Sequence, residues 1–172
     1  MIASIRQYLT LQAASTLVCA FVLSRLDYCN SLYAGAPQVL LDKLQKVQNS
    51  AARLVCKARK SEHVTPLFKS LHWLPISARI QYKVCTLCYK SLHNEGPQYL
   101  SDLLTPYKPR RRLRSSADSL TLEPPRKTKK SFGDRCFSFT APLYWNRLPS
   151  SIREAESISS FKSRLKTFLF EI

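Results

Sequence analysis

The stretch PQVLLDKLQKVQNSAARLVCKARK, residues 37–60, decides the fold class because it has the pattern of one long amphipathic helix. Pro37 suits the first position of a helix, where the N–H that proline lacks has no partner in any case. Apolar residues then recur every three or four positions, as one buried helical face requires. The positions expected on that face are Leu40, Leu41, Leu44, Val47, Ala51, Leu54 and Val55. The stretch therefore predicts a helix over residues 37–60 within an α-helical domain.

The same stretch carries a row of cations beside its apolar face. They are Lys43, Lys46, Arg53, Lys57 and Lys60. At spacings of three or four residues, an ideal helix holds them within an arc of about 100°. A solvated helix face is the ordinary interpretation, but such a face usually mixes glutamate with lysine in i,i+4 pairs. Asp42 is the only acid in this stretch. A helix of this length spans about 36 Å, close to one turn of duplex at about 34–36 Å, so we expect the row to contact nucleic acid.

Helical patterns continue through the rest of the chain. Thr10 is expected to cap a helix over residues 11–26, with Leu11, Ala14, Leu17, Val18, Phe21 and Val22 on its apolar face. Further helices are expected near residues 65–72, 75–94, 134–146 and 157–170, with Arg79 and Lys83 on the outer face of the second of these. Residues 119–123 alternate in polarity, as a short strand does. The predicted fold is mostly α: a bundle-like helical segment and an α-helical C-terminal extension, with a basic linker and one short strand pair.

The charge of the chain points to an anionic partner. Lysine and arginine number 27 against 11 acids in 172 residues, which gives a formal net charge of +16. Charge of one sign repels itself in a compact state, and an anionic partner relieves that repulsion. Nucleic acid, DNA or RNA, is the expected partner. An acidic membrane surface ranks behind it, and we expect no membrane association; protein partners stay open.

Residues 108–130, KPRRRLRSSADSLTLEPPRKTKK, concentrate this charge, with nine basic and two acidic residues. They form either a segment that contacts nucleic acid or a solvated linker between two parts of a domain. The residues expected to contact nucleic acid there are Arg110, Arg111, Arg112, Arg114, Lys127, Lys129 and Lys130. Phosphate contacts by such side chains give affinity and register but little sequence choice.

The six cysteines are expected to be reduced, which predicts an intracellular protein of the nucleus or cytoplasm that is not secreted. The apolar run at residues 11–23 is too short to span a bilayer, and we expect no signal peptide. Cys85, Cys88 and His93 begin a zinc-knuckle spacing, but Gln98 stands where the fourth ligand would. We therefore expect both cysteines in the core, and no metal or cofactor.

Enzymatic activity is not expected. The aspartates are isolated in sequence, whereas two-metal phosphoryl transfer needs clustered carboxylates. No glycine-rich phosphate loop or nucleophile motif occurs. Aromatic residues near the basic stretch are of the type that stacks on bases, but their helical spacing favours core positions for most. These residues are Phe132, Phe137, Phe139, Tyr144 and Trp145.

Five ordered blocks of the chain resemble the C-terminal region of the reverse transcriptases of jockey-like non-LTR (LINE-type) retrotransposons. The blocks are SRLDYCNSLYAGAP (residues 24–37), KLQKVQNSAARLV (43–55), LHWLPISARIQYKV (71–84), GPQYLSDLLTPYKPRRRLRSS (96–116) and GDRCFSFTAPLYWNRLPSSIR (133–153). In that family the polymerase palm, with its Tyr-x-Asp-Asp metal site, and the endonuclease lie upstream. No Asp-Asp pair occurs in this chain. The resemblance therefore implies a piece without the polymerase active site, with Met1 near the start of the thumb.

The resemblance also implies an organisation for the chain. Residues 1–60 correspond to thumb helices along the template–primer duplex. Residues 61–107 and 131–172 correspond to a helical extension that helps to hold element RNA and target DNA, with the basic linker at 108–130 between them.

Three functional hypotheses follow. The first is a non-catalytic nucleic-acid-binding fragment of a LINE-type reverse transcriptase. The second is a helical protein-interaction module that uses apolar faces left uncovered without the palm. The third is a decayed reading frame with no selected function, because every residue could be inherited from an active parent.

Overall fold

The structure is a computed structural model that describes residues 2–108, 120–123 and 133–171. Within these ranges the chain is mostly α-helical, which confirms the predicted fold class. The α-helices are α1 (Ile2–Ile5), α2 (Leu11–Val18), α3 (Ser24–Asp27), α4 (Gln38–Cys56), α5 (Val64–Leu71), α6 (Ile76–Leu92), α7 (Gln98–Ser101), α8 (Phe137–Trp145), α9 (Ser150–Arg153) and α10 (Ile158–Glu171). A π-helical turn at Cys19–Leu23 joins α2 to α3, and 3-10 turns cover Arg6–Tyr8, Asn30–Tyr33 and Gly133–Arg135.

The chain divides into two compact units. The first contains Met1–Asn30 and Ala36–Arg79, and the second contains Ser31–Gly35 and Ile80–Ile172. The division differs from the segment boundary drawn at residue 60 from the sequence, because α5 and Trp73 pack into the same core as α4. The buried residues of that first core are Val18, Leu23, Ala51, Ala52, Val55, Phe68 and Trp73.

The helical run from α2 to α3 begins as predicted but changes its repeat. The Thr10 Oγ1 accepts a hydrogen bond from the N–H of Ala13 at 3.2 Å and caps α2. The buried side chains of the run are Ala14, Val18 and Leu23. Their last spacing is five residues because the π-helical turn Cys19–Leu23 needs more residues per turn than an α-helix. Phe21, expected on the apolar face, is consequently exposed.

α4 ends earlier than the sequence pattern predicts. Its last residue is Cys56, and Lys57 adopts the left-handed conformation with φ of 53°. The N–H of Ala58 bonds to the carbonyl of Arg53 at 3.0 Å, as in a Schellman stop. Glycine is the usual residue at such a stop, and because Lys57 stands here the local sequence does not mark the helix end. The predicted extension of the helix to Lys60 is therefore wrong.

A buried arginine holds the C-terminal end of α4. Arg6 is 7% exposed, and its Nε donates to the carbonyl of Leu54 at 2.9 Å. Its Nη2 donates to the carbonyl of Val55, and its Nη1 to that of Leu9 at 2.8 Å. The last carbonyls of a helix have no partner within the helix and carry the negative end of its dipole. One guanidinium therefore satisfies two of them and offsets their partial charge.

Two glutamines of α4 hold the turn that leads into α6. Gln48 is fully buried, and its Nε2 donates to the carbonyl of Leu74 at 2.8 Å. The Gln45 Oε1 accepts the N–H of Ile76, the first residue of α6, at 2.9 Å. The buried positions of α4 are Gln48, Ala51, Ala52 and Val55. Leu40 and Val47, predicted to be buried, are instead about half exposed at 47% and 48%. A polar residue, Gln48, therefore lies at the centre of the buried face of α4. A prediction based on apolar periodicity does not include it.

The second unit is built around a stack of aromatic rings. Tyr89 of α6 stacks on Phe161 of α10 with centroids 4.4 Å apart, and Phe161 stacks on Trp145 of α8 at 5.7 Å. The Tyr89 hydroxyl donates to the carbonyl of Ala155 at 2.7 Å, so its buried polar end is satisfied. Three helices distant in sequence therefore meet in one core.

Residues 120–123 are anchored on this core by α8 and the residue that follows it. The N–H of Leu122 donates to Asn146 Oδ1 at 3.0 Å, and Asn146 Nδ2 donates to the carbonyl of Leu122 at 2.8 Å. The Trp145 Nε1 donates to the carbonyl of Leu120. Leu122 itself is buried. The side-chain amide pairs with this short stretch as a neighbouring strand would.

The predicted strand pair is an isolated antiparallel bridge between Pro106 and Leu122. The N–H of Tyr107 donates to the carbonyl of Thr121 at 2.9 Å, and that of Glu123 to the carbonyl of Thr105 at 2.8 Å. Pro106 thus occupies a position whose N–H is not needed by the pairing. The bridge therefore tolerates a proline.

Cys85 and Cys88 are fully buried in α6, which confirms their predicted place in the core. All six cysteines are free thiols, and Cys29 and Cys136 are exposed. Burial raises the pKa of the Cys85 and Cys88 thiols well above the ordinary value. Because the thiolate is the reactive form, the thiols of these two residues are expected to react slowly in the folded chain.

We expect replacement of Arg6 by methionine to lower the free energy of unfolding by about 2–4 kcal/mol, since it leaves helix-end carbonyls without a donor. Urea denaturation followed by circular dichroism measures this. Arg25 is exposed, so Arg25→Met is the matched control and should stay within about 0.5 kcal/mol of the unaltered chain. Equal losses in the two variants would contradict the role given to Arg6.

We expect Cys29 and Cys136 to react with a thiol reagent within seconds to minutes at neutral pH, and Cys85 and Cys88 only as the chain unfolds. Mass spectrometry of the labelled peptides assigns each rate. In denaturant all six should react alike. Fast labelling of Cys85 or Cys88 in the native chain would show that the second core is not formed as described.

Candidate nucleic-acid interface

Two lysines of α4 lie on its solvent face. Lys43 and Lys46 are exposed, and with Arg53 they occupy an arc of about 80° on the side opposite the buried positions. No ion pair joins either lysine to a described carboxylate. Each ammonium group is therefore open to solvent or to an anionic ligand.

Arg53, further along the same face, is engaged in holding the chain after the helix. Its Nη2 and Nε donate to the carbonyl of Glu62 at 2.9 and 3.3 Å. The Glu62 Oε1 accepts the N–H of Arg59 at 2.7 Å. This segment folds back onto the last turn of α4, and Arg53 contributes to that fold. Its guanidinium still carries its charge, but with less freedom to reach a ligand.

Lys57 and Lys60 are exposed but follow α4 instead of extending it. The helical part of the cation row therefore covers residues 43–53, which span about 15 Å. That is less than half of one duplex turn of about 34–36 Å. The expectation of a single helical row along a full turn is corrected by the early stop at Cys56.

Arg79 is bound within the first unit. Its Nε donates to Asp27 Oδ1 at 2.7 Å, and its Nη2 pairs with the Oδ2 of the same carboxylate. This two-point contact, with 17% of the Arg79 side chain exposed, neutralises the guanidinium. Asp27 also accepts a long hydrogen bond of 3.4 Å from Asn30 Nδ2. Arg79 therefore has a structural partner that its outer-face position did not predict.

The remaining predicted contact residues divide into one that is described and seven that are not. Lys83, one helical turn after Arg79 on α6, is exposed. Those outside the described residues are Arg110, Arg111, Arg112, Arg114, Lys127, Lys129 and Lys130. The described part of the interface thus consists chiefly of lysines.

The aromatic residues that the sequence singled out are mostly internal. Trp145 is fully buried, and Phe137, Phe139 and Tyr144 are partly buried. Phe132 lies outside the described residues. Two tyrosines that the sequence argument did not consider, Tyr99 and Tyr107, are exposed at 67% and 53%. Tyr107 had a signal: it directly precedes the basic stretch and belongs to no helical repeat.

The zinc-knuckle spacing of Cys85, Cys88 and His93 does not produce a metal-binding cluster in the described ranges. No group of three histidine, cysteine or acidic side chains is placed there to hold a metal ion. His93 instead stacks on the Tyr89 ring at 4.0 Å, and its Nδ1 contacts the Tyr89 carbonyl. No helix of these ranges has both the length and the apolarity to cross a bilayer. What the site offers chemically is exposed positive charge.

We expect Arg79→Gln to lower stability by about 1–3 kcal/mol, because it leaves Asp27 without its partner. Binding to nucleic acid should keep its salt dependence, since Asp27 already neutralises Arg79. Lys46→Gln should do the reverse, with unchanged stability and a salt slope reduced by about one unit. Thermal unfolding and binding titrations at several salt concentrations measure both. A reduced slope for Arg79→Gln would place its guanidinium in the interface.

The chain matches no known protein-family model, and neither a curated protein nor a solved structure is detectably similar to it. The resemblance to LINE-type reverse transcriptases therefore depends on the five sequence blocks alone.

Proposed function

We propose that this chain is a non-catalytic nucleic-acid-binding fragment of a LINE-type reverse transcriptase that acts inside the cell, in the nucleus or cytoplasm. The observation that supports the proposal best is the position of Lys43 and Lys46, exposed on the face of α4 opposite its core. Asp42 is the one acid beside them in α4, and its carboxylate accepts a hydrogen bond from Gln38 Nε2 and forms no ion pair with either lysine in the described chain. Both ammonium groups are therefore left for an anionic ligand along this face.

Polyanionic backbones fit this surface better than a small anion does. Lys43, Lys46, Lys57 and Lys60 are spread along a helix and the turn after it, which suits phosphates repeated along a strand. Each lysine is a flexible point charge without the planar fork that reads a base edge. Contacts of this kind neutralise phosphates and release counterions, and they discriminate little between sequences. The proposed activity is therefore binding without strong sequence preference.

The direct test is the salt dependence of binding to labelled duplex DNA and structured RNA between 50 and 300 mM salt. About six phosphate contacts predict a slope near −5 for log K against log salt on duplex DNA. The double variant Lys43→Gln/Lys46→Gln should make the slope about two units shallower. Neutralising Arg110, Arg111 and Arg112 together should reduce it by a similar or larger amount.

A charge-matched control separates this interface from net charge. Lys69 and Lys166 are exposed lysines on α5 and α10, so Lys69→Gln/Lys166→Gln removes the same charge elsewhere. The control should leave the slope unchanged. Equal flattening by both double variants would mean diffuse attraction without a defined interface. Weak, shallow binding by the unaltered chain would contradict the proposed function and favour a reading frame with no selected role.

A protein-interaction module is the second candidate, favoured by apolar side chains that α4 leaves exposed. Val39, Leu40 and Val47 are 68%, 47% and 48% exposed. If a protein covers them, the chain should associate with itself or a partner in a manner that salt does not weaken. Sedimentation in 50 and 500 mM salt distinguishes this from nucleic-acid binding, which salt weakens.

A further inference from the structure

An exposed tyrosine stands where the described chain enters the basic stretch. Tyr107 is 53% exposed, and the next residue, Lys108, is exposed as well. The sequence then continues as PRRRLR, with four arginines in residues 109–114. An aromatic ring next to a run of cations is the combination by which proteins hold unpaired nucleotides, since the ring stacks on a base while cations follow the phosphates.

The backbone of Tyr107 is fixed while its ring is open to solvent. Its N–H donates to the carbonyl of Thr121 at 2.9 Å, beside the bridge between Pro106 and Leu122. Leu122 is buried and hydrogen-bonded in both directions to the Asn146 amide. A ring on such an anchored backbone loses little chain entropy when it binds. The exposed half of this residue would gain by becoming buried against a ligand.

We propose that Tyr107 and Lys108 form a stacking site for an unpaired base, so that the chain prefers single-stranded over duplex nucleic acid. The inference builds on the proposed function and adds a preference that phosphate contacts alone do not give. In a duplex the faces of the bases are covered by their neighbours, so the Tyr107 ring has no base face to cover. In a single strand every base has a face that is free or easily freed, and stacking tolerates any sequence. Lys108 would neutralise the phosphate next to the stacked base.

The test compares Tyr107→Ala with the unaltered chain on three fluorescent probes: a 20-nucleotide single-stranded DNA, an RNA of the same sequence and the corresponding DNA duplex. Tyr107→Ala should weaken single-strand binding by roughly 5- to 150-fold and leave duplex binding unchanged. Its salt slope should stay as before, because no charge is lost. Tyr107→Phe should bind like the unaltered chain, since the ring and not the hydroxyl stacks.

A tyrosine in the other unit provides the matched control. Tyr8 is 81% exposed and lies in the first unit, so Tyr8→Ala should change none of the three affinities. Circular dichroism of each variant checks that the fold is retained. If DNA and RNA strands both lose affinity, the site reads the base and not the sugar. Loss with only one of them would make it specific for that sugar.

Three other outcomes overturn the inference, and the last is distinguishable from the first two because it also removes the proposed function. Steep, salt-dependent binding that Tyr107→Ala leaves intact on single strands would keep the proposed function and remove the stacking site. An equal loss on duplex and single strand would do the same, because the ring would then serve a general contact. Weak and salt-insensitive binding by the unaltered chain would overturn both the proposed function and this inference.

Discussion

The first unit depends on one buried guanidinium at the C-terminal end of α4. Arg6 lies 48 residues from Leu54, whose carbonyl it binds, so the contact closes the chain from its first turn to its longest helix. The last carbonyls of a helix need donors from outside the helix, and here the carbonyls of Leu54 and Val55 receive them from Arg6. The donor is the positively charged guanidinium of Arg6, which also interacts favourably with the negative end of the helix dipole. The packing of the N-terminal segment therefore helps to stabilise the end of α4.

That stop determines the geometry of the positive surface. With α4 ended at Cys56, Lys57 takes a left-handed conformation and the following turn is held by Arg53 and Glu62. The cations after the helix then project from a turn, not from a continued helical face. Lys43 and Lys46 are thus held on a regular helix, whereas Lys57 and Lys60 follow it in a non-helical segment.

Much of this architecture follows from sequence, and its exceptions have identifiable physical causes. Helices were predictable because apolar residues repeat at the helical period, and Thr10 is an ordinary cap. The exposure of Phe21 was not predictable, since a π-helical turn shifts the repeat without a glycine or proline to mark it. The end of α4 carries lysine where glycine is usual. Neither deviation leaves a local sequence signal.

Long-range polar contacts explain the other differences at the candidate site. Spacing predicts Arg79 on an outer helix face, but only 17% of its side chain is exposed, and spacing cannot reveal that Asp27, 52 residues earlier, pairs with it. Gln48 and Asn146 likewise act on backbone groups 26 and 24 residues away. Glutamine and asparagine are common on surfaces, so nothing in the local pattern marks these two residues as anchors for distant backbone groups. Charge counts and helical wheels therefore predict which cations could lie on a surface. They do not show which of these cations are already paired within the protein.

Three of the five arginines of the first unit bond to the protein itself, whereas Arg25 and Arg59 are exposed. The planar fork of arginine matches carbonyl pairs and carboxylates, and Arg6, Arg53 and Arg79 use it in this way. The more strongly hydrated lysines stay at the surface, as Lys43 and Lys46 do. A net charge of +16 therefore overstates what this unit offers a polyanion, and lysines supply most of it. An interface of point charges holds a phosphate chain without choosing its sequence, so any selectivity must come from a group of another kind. An exposed ring on a fixed backbone is such a group, and Tyr107 provides it next to the densest charge in the chain.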